Sequence, residues 1–135
     1  MADAGKQTHV RFEGFVPERG AIEAYGNGGF RFTGMSHRGS LLALSDGMHA
    51  WQIEEPLTAA ALTFELLKLL ERLEEPQFLL LGTGRKQIFP EPSIVGAYTD
   101  KRIGLDVMDT GAACRTYNVL LAEKRPVALA VVAVE

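Results

Sequence analysis

The fold of this chain is set by one stretch, Asp109-Thr110-Gly111-Ala112-Ala113-Cys114-Arg115-Thr116-Tyr117-Asn118-Val119-Leu120-Leu121. Either Asp109 or Thr110 can accept hydrogen bonds from the first amides of a helix, where a carboxylate also complements the helix dipole. The stretch predicts a strand end, a helix cap and then a helix from about Gly111 to Glu123. The helical wheel gives this helix a core face of Ala113, Thr116, Tyr117, Leu120 and Leu121, an opposite face of Arg115, Asn118 and Ala122, and Cys114 at the boundary.

Three apolar segments surround this helix along the chain, at Phe78–Leu81, Leu105–Met108 and Val127–Val134. The first segment shows no alternation, as expected of a strand covered on both faces of a parallel sheet. A short helix at Glu91–Asp100, entered through prolines, separates the first two segments. Strands that alternate with helices form βαβαβ units, so we expect an at least partly parallel sheet with right-handed connections.

A longer helix is predicted from Leu57 to about Leu73, because Pro56 suits a first turn and Thr58 can cap it. One stripe at helical spacing faces the core and consists of Leu62, Leu66, Leu69 and Leu73. Phe64 and Leu67 lie on the other side of the helix and form a second apolar ridge. We expect another layer of this chain, such as an N-terminal hairpin, to cover the ridge; a homodimer contact is the alternative.

The N-terminal part carries signals for β-structure. Ile22–Tyr25 and Phe30–Thr33 alternate in character around Asn27-Gly28, two residues that tolerate the positive φ of a tight hairpin turn. Further strands are predicted at Gly39–Leu44 and Met48–Ile53, in a meander. The fold class is therefore α/β, or α+β, with a central mixed sheet and a small N-terminal hairpin layer.

The domain prediction is a mobile tail at residues 1–10, unless residues 9–12 add an edge strand, and one globular domain at residues 11–135. Hydrophobic residues make up 47% of the chain and charged residues 23%, which is typical of a globular protein. The net charge of −3, without a run of Lys or Arg, disfavours nucleic-acid binding. The longest uncharged apolar run is about half of what a membrane-spanning helix needs.

The N-terminal residues show neither a secretory signal nor a transit peptide. A single cysteine excludes an internal disulfide and agrees with a reducing compartment. We therefore expect a cytoplasmic protein without a membrane span.

One candidate ligand site lies at the carboxyl edge of the predicted sheet, where open α/β sheets bind ligands. Gly82, Thr83 and Gly84 follow a strand, and Arg85 is placed to hold an anion beside free backbone amides. The dinucleotide fingerprint and the Walker A spacing are both incomplete, so a tight turn is favoured over a ligand loop. The full candidate set is Gly82, Thr83, Gly84, Arg85, Asp109, Thr110 and Cys114.

Cys114 has two interpretations. A thiol in the first turn of a helix beside Arg115 can have a lowered pKa, which suits a nucleophile. That reaction needs a base, and the histidines are distant in sequence, so a buried and inert thiol is favoured. His37 and His49 have no partner at metal-ligand spacing, and the sequence predicts neither a metal site nor a cofactor.

The ordered motifs of this chain resemble a domain-of-unknown-function family that includes bacterial and archaeal proteins and the mitochondrial respiratory complex I assembly factor 3. The residues that carry the resemblance are Tyr25-Gly26, Gly29-Phe30, Trp51, Leu81-Gly82-Thr83-Gly84, Pro90, Val107-Met108-Asp109-Thr110, Ala112 to Leu120, Glu123 and Arg125. The resemblance implies a three-layer domain, with helices on one side of a central mixed sheet and a smaller β layer plus a helix on the other. It implies no agreed catalytic residues.

We therefore expect a non-enzymatic, assembly-factor-like binding protein that meets another protein, or a second copy of itself. The candidate contact residues are Phe64 and Leu67 on one helix and Arg115 and Asn118 on another. The alternative is a small anionic ligand bound at the carboxyl edge of the parallel strands.

Overall fold

The computed structural model describes residues 10–54, 57–74 and 77–135, and it arranges them in two β-sheets and three α-helices. The strands are β1 Val10–Arg11, β2 Phe15–Val16, β3 Ile22–Gly26, β4 Gly29–Phe32, β5 Met35–Arg38, β6 Ser40–Leu44, β7 Gly47–Trp51, β8 Gln77–Gly82, β9 Ile103–Met108 and β10 Val127–Val131. The helices are α1 Ala59–Leu70, α2 Pro92–Asp100 and α3 Thr110–Ala122.

The central sheet has six strands in the order β2-β7-β6-β10-β8-β9. Strand β8 pairs in parallel with both β9 and β10, whereas β10 pairs with β6 in the antiparallel direction. The three apolar segments that the sequence predicted as one mixed sheet with helical crossovers therefore do share a sheet. This arrangement brings the loops that follow β8 and β9 to the same edge.

The molecule has three layers. On one face of the central sheet, α1 and α2 bury Leu62, Leu66 and Tyr98 against β8 and β10. On the other face lie α3 and a four-stranded sheet of order β1-β5-β4-β3, which buries Phe30 and Phe32. The expected architecture of helices on one side and a smaller β layer plus a helix on the other is confirmed.

Helix α1 confirms the predicted core stripe and overturns the predicted cover of the second ridge. Thr58 caps the helix, because its hydroxyl accepts a hydrogen bond from the amide of Ala61 at 3.1 Å. Phe64 is 60% exposed and Leu67 is 48% exposed. The expectation that the hairpin layer covers this ridge is wrong, because the hairpin packs on the opposite face of the central sheet.

The hairpin of β3 and β4 is confirmed, with φ of 52° at Asn27 and 80° at Gly28. Strands β2 and β5 were not predicted. Strand β1 pairs in parallel with β5, so the edge strand that the sequence left open exists at Val10–Arg11. The rest of the predicted mobile tail, residues 1–9, lies outside the described residues, and the single-domain boundary stays a prediction.

Strand β8 differs from the prediction near its N-terminal end, at Phe78. Phe78 is 38% exposed, although the strand was expected to be covered on both faces. Its ring lies beside Gly104 of the neighbouring strand and under the guanidinium of Arg125, at 5.7 Å from the ring centroid. Cover at this end of the strand therefore comes from one long side chain and not from a helix.

Candidate functional site

The loop after β8 is held by hydrogen bonds of Thr83. Its amide donates to the carbonyl of Met108 at 3.0 Å. Its hydroxyl donates to the carbonyl of Lys86 at 2.6 Å and accepts from the amide of Ile88 at 2.8 Å. Thr83 is buried, so its polar groups organise the loop and are not offered to a ligand.

Gly82 permits close packing of α3 on the central sheet. A Cβ added to it would lie 2.9 Å from Ala113 Cβ, Thr110 Cα and Val131 Cγ1, well inside ordinary contact distance. Gly84 is needed for the backbone conformation of the loop, because its φ of 104° lies in the region that favours glycine. Both glycines therefore have structural reasons, as the turn interpretation predicted.

Thr110 joins the two loops at the sheet edge. Its hydroxyl accepts a hydrogen bond from the amide of Gly84 at 2.9 Å and donates to the carbonyl of Val132 at 2.6 Å. Its own amide donates to the carbonyl of Gly84 at 2.9 Å. Because Thr110 is fully buried, this set of bonds closes the space between the two loops.

Asp109 is the cap of α3. Its carboxylate accepts a hydrogen bond from the amide of Ala112 at 2.8 Å, which satisfies one of the free amides of the first turn. The sequence left the cap open between Asp109 and Thr110. The structure assigns the cap to Asp109, because the hydroxyl of Thr110 is bonded to Gly84 and Val132, which follow β8 and β10.

Cys114 is buried, with 2% of its surface exposed, in the core between α3 and the central sheet. Burial raises the pKa of its thiol to about 12, and the nearby Arg115 only partly opposes this shift. A thiol in this state stays protonated at neutral pH and is a poor nucleophile. The structure therefore favours the buried, inert interpretation.

The outward-facing members of the candidate set line a cleft of about 350 Å³ at this edge. They are Gly84, Arg85 and Asp109, so the structure does bring residues of both loops together. The other lining residues are Tyr25, Gly26, Gly111, Arg115, Val134 and Glu135. Gly82, Thr83, Thr110 and Cys114 do not line this cleft.

Tyr25 was missed as a site residue. Its hydroxyl occupies the space over Gly111, at 2.5 Å from where a Cβ would stand there. A glycine in the first turn of a helix is a weak sign of such an approach, and the sequence did not indicate which side chain fills the space.

The family becomes clear from residues 22–132, which match the model of a family described as "Protein of unknown function (DUF498/DUF598)". The chain belongs to this family. The matched residues include both loops of the cleft and all of α1, so every residue proposed from the sequence as a ligand or partner contact lies in the DUF498 match.

Known proteins of similar sequence include one described as NADH dehydrogenase (ubiquinone) 1 alpha subcomplex assembly factor 3, from Xenopus tropicalis. It is 27% identical over 128 residues, which are 94% of this chain and 68% of that protein. A "13 kDa major membrane protein" of Francisella tularensis is 35% identical over 57 residues, 42% of this chain and 46% of that protein. The match thus spans between about half and two thirds of these relatives' own length.

A solved structure described as an outer membrane protein from Bartonella henselae has the same fold. It superposes with a TM-score of 0.77 at 41% identity and covers 88% of this chain and 98% of that one. Of the helices that the structure describes in this DUF498 chain, none is long and apolar enough to cross a bilayer.

The predicted partner contacts of this DUF498 chain differ in exposure. Phe64, Leu67 and Arg115 are exposed. Asn118 was expected on the same exposed face as Arg115 but is half-buried. Its amide oxygen accepts from the amide of Ile22 at 2.8 Å, and its amide nitrogen donates to the Ile22 carbonyl at 2.9 Å. The expectation that Asn118 is exposed is wrong, because both ends of its side chain are hydrogen-bonded to the backbone of Ile22 at the edge of β3.

The two histidines that the structure describes have local partners. His37 Nε2 lies 3.0 Å from the carbonyl of Ser40, and burial lowers the pKa of His37. His49 lies 2.7 Å from Asp46, and this hydrogen bond lowers the pKa of the Asp46 carboxyl. Within the described ranges, no three His, Cys, Asp or Glu side chains come together in a way that suits a metal ion. The absence of a metal and of a cofactor stays a prediction.

Proposed function

We propose that this chain is a non-enzymatic, cytoplasmic binding protein that works as assembly factors do, by holding a surface of another protein. The observation that carries the proposal is the outward ridge of α1, formed by Phe64 and Leu67. Both side chains are about half exposed or more. Fully burying a Phe or Leu side chain contributes roughly 1.5–3 kcal/mol, and because about half of each side chain is still exposed, a partner that covers both gains roughly 1.5–3 kcal/mol in total.

The relatives support a protein partner. The Xenopus tropicalis relative is described as an assembly factor, and assembly factors act by binding the proteins that they bring together. That description belongs to the relative, and this chain spans 68% of it. We extend to this chain the general mode of action, which is binding, and not the identity of the partner.

The state of the lone thiol supports binding over catalysis. A nucleophile has to be accessible and ionised, whereas Cys114 is buried with a raised pKa. The unpaired, buried thiol also agrees with a reducing compartment such as the cytoplasm.

The anionic-ligand alternative stays a prediction. Its residues Arg85 and Asp109 face an open cleft, but the gap between the loops is closed by Thr110. A thermal-shift screen of anionic metabolites checks it, because a ligand at 100 times its Kd stabilises by about 2.7 kcal/mol.

The test of the proposed function uses a photo-crosslinking amino acid at position 64, in cells that express the full chain. The matched control carries the same group at position 119, because Val119 is also an exposed apolar helix residue but lies in the opposite layer. We expect a protein adduct from position 64 that is absent from position 119 and is reduced by Leu67→Glu. The proposal is refuted if no adduct forms or if the adducts at both positions are equal. An adduct of two copies of this chain would identify the partner as a second copy and not as another protein.

A further inference from the structure

The outer surface of the small sheet carries a shallow cleft bordered by arginines. Phe30 and Phe32 of β4 point into the core, so Arg31 between them points outward. Arg31 lies opposite Ser36 in the register of β4 and β5, and Arg38 lies opposite Gly29. These positions alternate along the strands, so both arginines lie on the same outer face.

Small residues make this face concave. Ala24 and Gly26 of β3 stand beside Arg31 and Gly29 in the register, and they carry little or no side chain. The resulting cleft has a volume of about 450 Å³ and is also lined by Tyr25. It is therefore bordered by two positive charges over a floor that is mainly backbone and small side chains.

A second cleft, of about 350 Å³, adjoins the first and shares Tyr25 and Gly26 with it. It adds Arg85 and Arg115. Arg115 Nη1 and the Tyr25 hydroxyl both approach the position of a Cβ on Gly111, at 3.2 and 2.5 Å. Tyr25 pairs with Phe30, so its side chain turns away from the outer face, and the two clefts meet at the end of β3. We define the arginines that line the two clefts, Arg31, Arg38, Arg85 and Arg115, as the arginine surface.

The charge of the arginine surface is opposite to that of the whole chain. Its lining includes two acidic side chains, Asp109 and Glu135, against four arginines, whereas the chain carries −3. Asp109 is already engaged as the cap of α3. No ion pair among the described residues involves any of the four arginines. Arg85 donates to the backbone oxygen of Glu135 at 3.0 Å, and the Glu135 carboxylate and Arg38 Nη1 both approach the position of a Cβ on Gly28, at 3.4 and 3.3 Å.

We propose that the arginine surface binds an extended acidic segment of a partner protein, with its carboxylates on the arginines and its backbone across the end of β3 at Tyr25 and Gly26. Arginine suits this ligand, because its planar guanidinium holds a carboxylate through two parallel hydrogen bonds. The shape favours a peptide over a flat anionic membrane, because the charges border clefts. The four arginines fall in two separate clefts and the chain has no run of Lys or Arg, which favours a short peptide over the regular phosphate backbone of nucleic acid.

This inference rests on the proposed function, since it specifies the chemistry of a partner. The arginine surface lies on the side of the small sheet, and the ridge of α1 lies on the other side of the central sheet. One molecule therefore has room to hold two protein surfaces at once, as assembly requires.

The test measures fluorescence polarisation of a labelled peptide of about six glutamates, the length of an ordinary strand, with the full chain in about 150 mM salt. The reversals Arg38→Glu and Arg115→Glu each address one cleft, and Lys101→Glu is the control because Lys101 is exposed beside α2 in the opposite layer. We expect each reversal to weaken binding, and the double reversal to weaken it at least about tenfold. The control should bind as the wild type does.

Several outcomes overturn this inference. They are no binding by the wild type, equal loss in the Lys101→Glu control, an effect of only one of the two reversals, or tighter binding of oligothymidylate or of vesicles with anionic lipids. Unfolding followed by the fluorescence of Trp51 verifies that each variant is folded. Failure here leaves the crosslinking at position 64 untouched, so the two proposals fail separately.

Discussion

Replacing Thr110 by valine removes one hydroxyl from the junction of the two loops and preserves the shape of the side chain. The hydroxyl serves the Gly84 amide at 2.9 Å and the Val132 carbonyl at 2.6 Å, and the residue is fully buried. Each buried polar group left without a partner costs about 1–3 kcal/mol. Two such groups lose their partner, so we expect Thr110→Val to lower the free energy of unfolding by about 2–6 kcal/mol.

Thr110→Ser is the matched control, because it retains the hydroxyl and loses only a buried methyl group. That loss corresponds to about 1 kcal/mol. Urea titration at neutral pH gives both values from the fluorescence of the single tryptophan, Trp51, which is buried in the other core. Hydrogen exchange of the Gly84 amide should also accelerate in the valine variant alone. If valine proves as stable as serine, the bonds of Thr110 do not hold the loops together.

Three further predictions concern packing, the thiol and the strand edge. Gly82→Ala should lower the free energy of unfolding by about 1–3 kcal/mol, because the added methyl overpacks the contact with α3. Gly96→Ala in α2 is the control and should raise it by about 0.5–1 kcal/mol, because the added methyl meets nothing within 4 Å. Equal urea midpoints of the two variants would refute the packing argument. Cys114 should not react with a thiol reagent at neutral pH until urea is added, and rapid labelling of the folded chain would contradict this. Burial raises the pKa of the thiol from 9.0 to about 12, so above pH 9 the thiol ionises in the unfolded chain but not in the folded one, and the free energy of unfolding should fall as the pH rises from there. Asn118→Leu should lower the free energy of unfolding by about 1–2 kcal/mol, since it removes two hydrogen bonds to Ile22. Asn118→Asp retains the acceptor and should lower the free energy of unfolding by less. No change in either variant would show that water replaces the amide at no cost.

Periodicity sufficed to predict the elements whose burial repeats along the chain. The stripe through Leu62 and Leu66, the hairpin around Asn27 and the three strands of the parallel part follow directly from spacing and turn chemistry. Strand β5 lacked such a signal, because Met35–Arg38 is polar, short and only half-buried at most positions. Its formation depends on pairing with β4 and β1, which is a tertiary effect.

The position of the candidate site at the sheet edge could be predicted, but the contacts that its side chains make could not. Topology rules placed the two loops at one edge, but they did not indicate that Thr110 would close the gap with its hydroxyl. Tyr25 meets Gly111 across a large separation in sequence, and no local pattern encodes that contact. Asn118 likewise appeared outward on a helical wheel, which ignores that a second sheet lies on that side of the helix.

The bond pair between Asn118 and Ile22 has a consequence for how this protein associates. Strand β3 is the last strand of the small sheet, and such borders tend to recruit strands from other molecules. Here a carboxamide occupies the place that a foreign backbone would take at Ile22, so polymerisation by strand addition is blocked at that point. A partner that approaches β3 at Ile22 therefore has to engage side chains, which leaves recognition at that point to charge and shape.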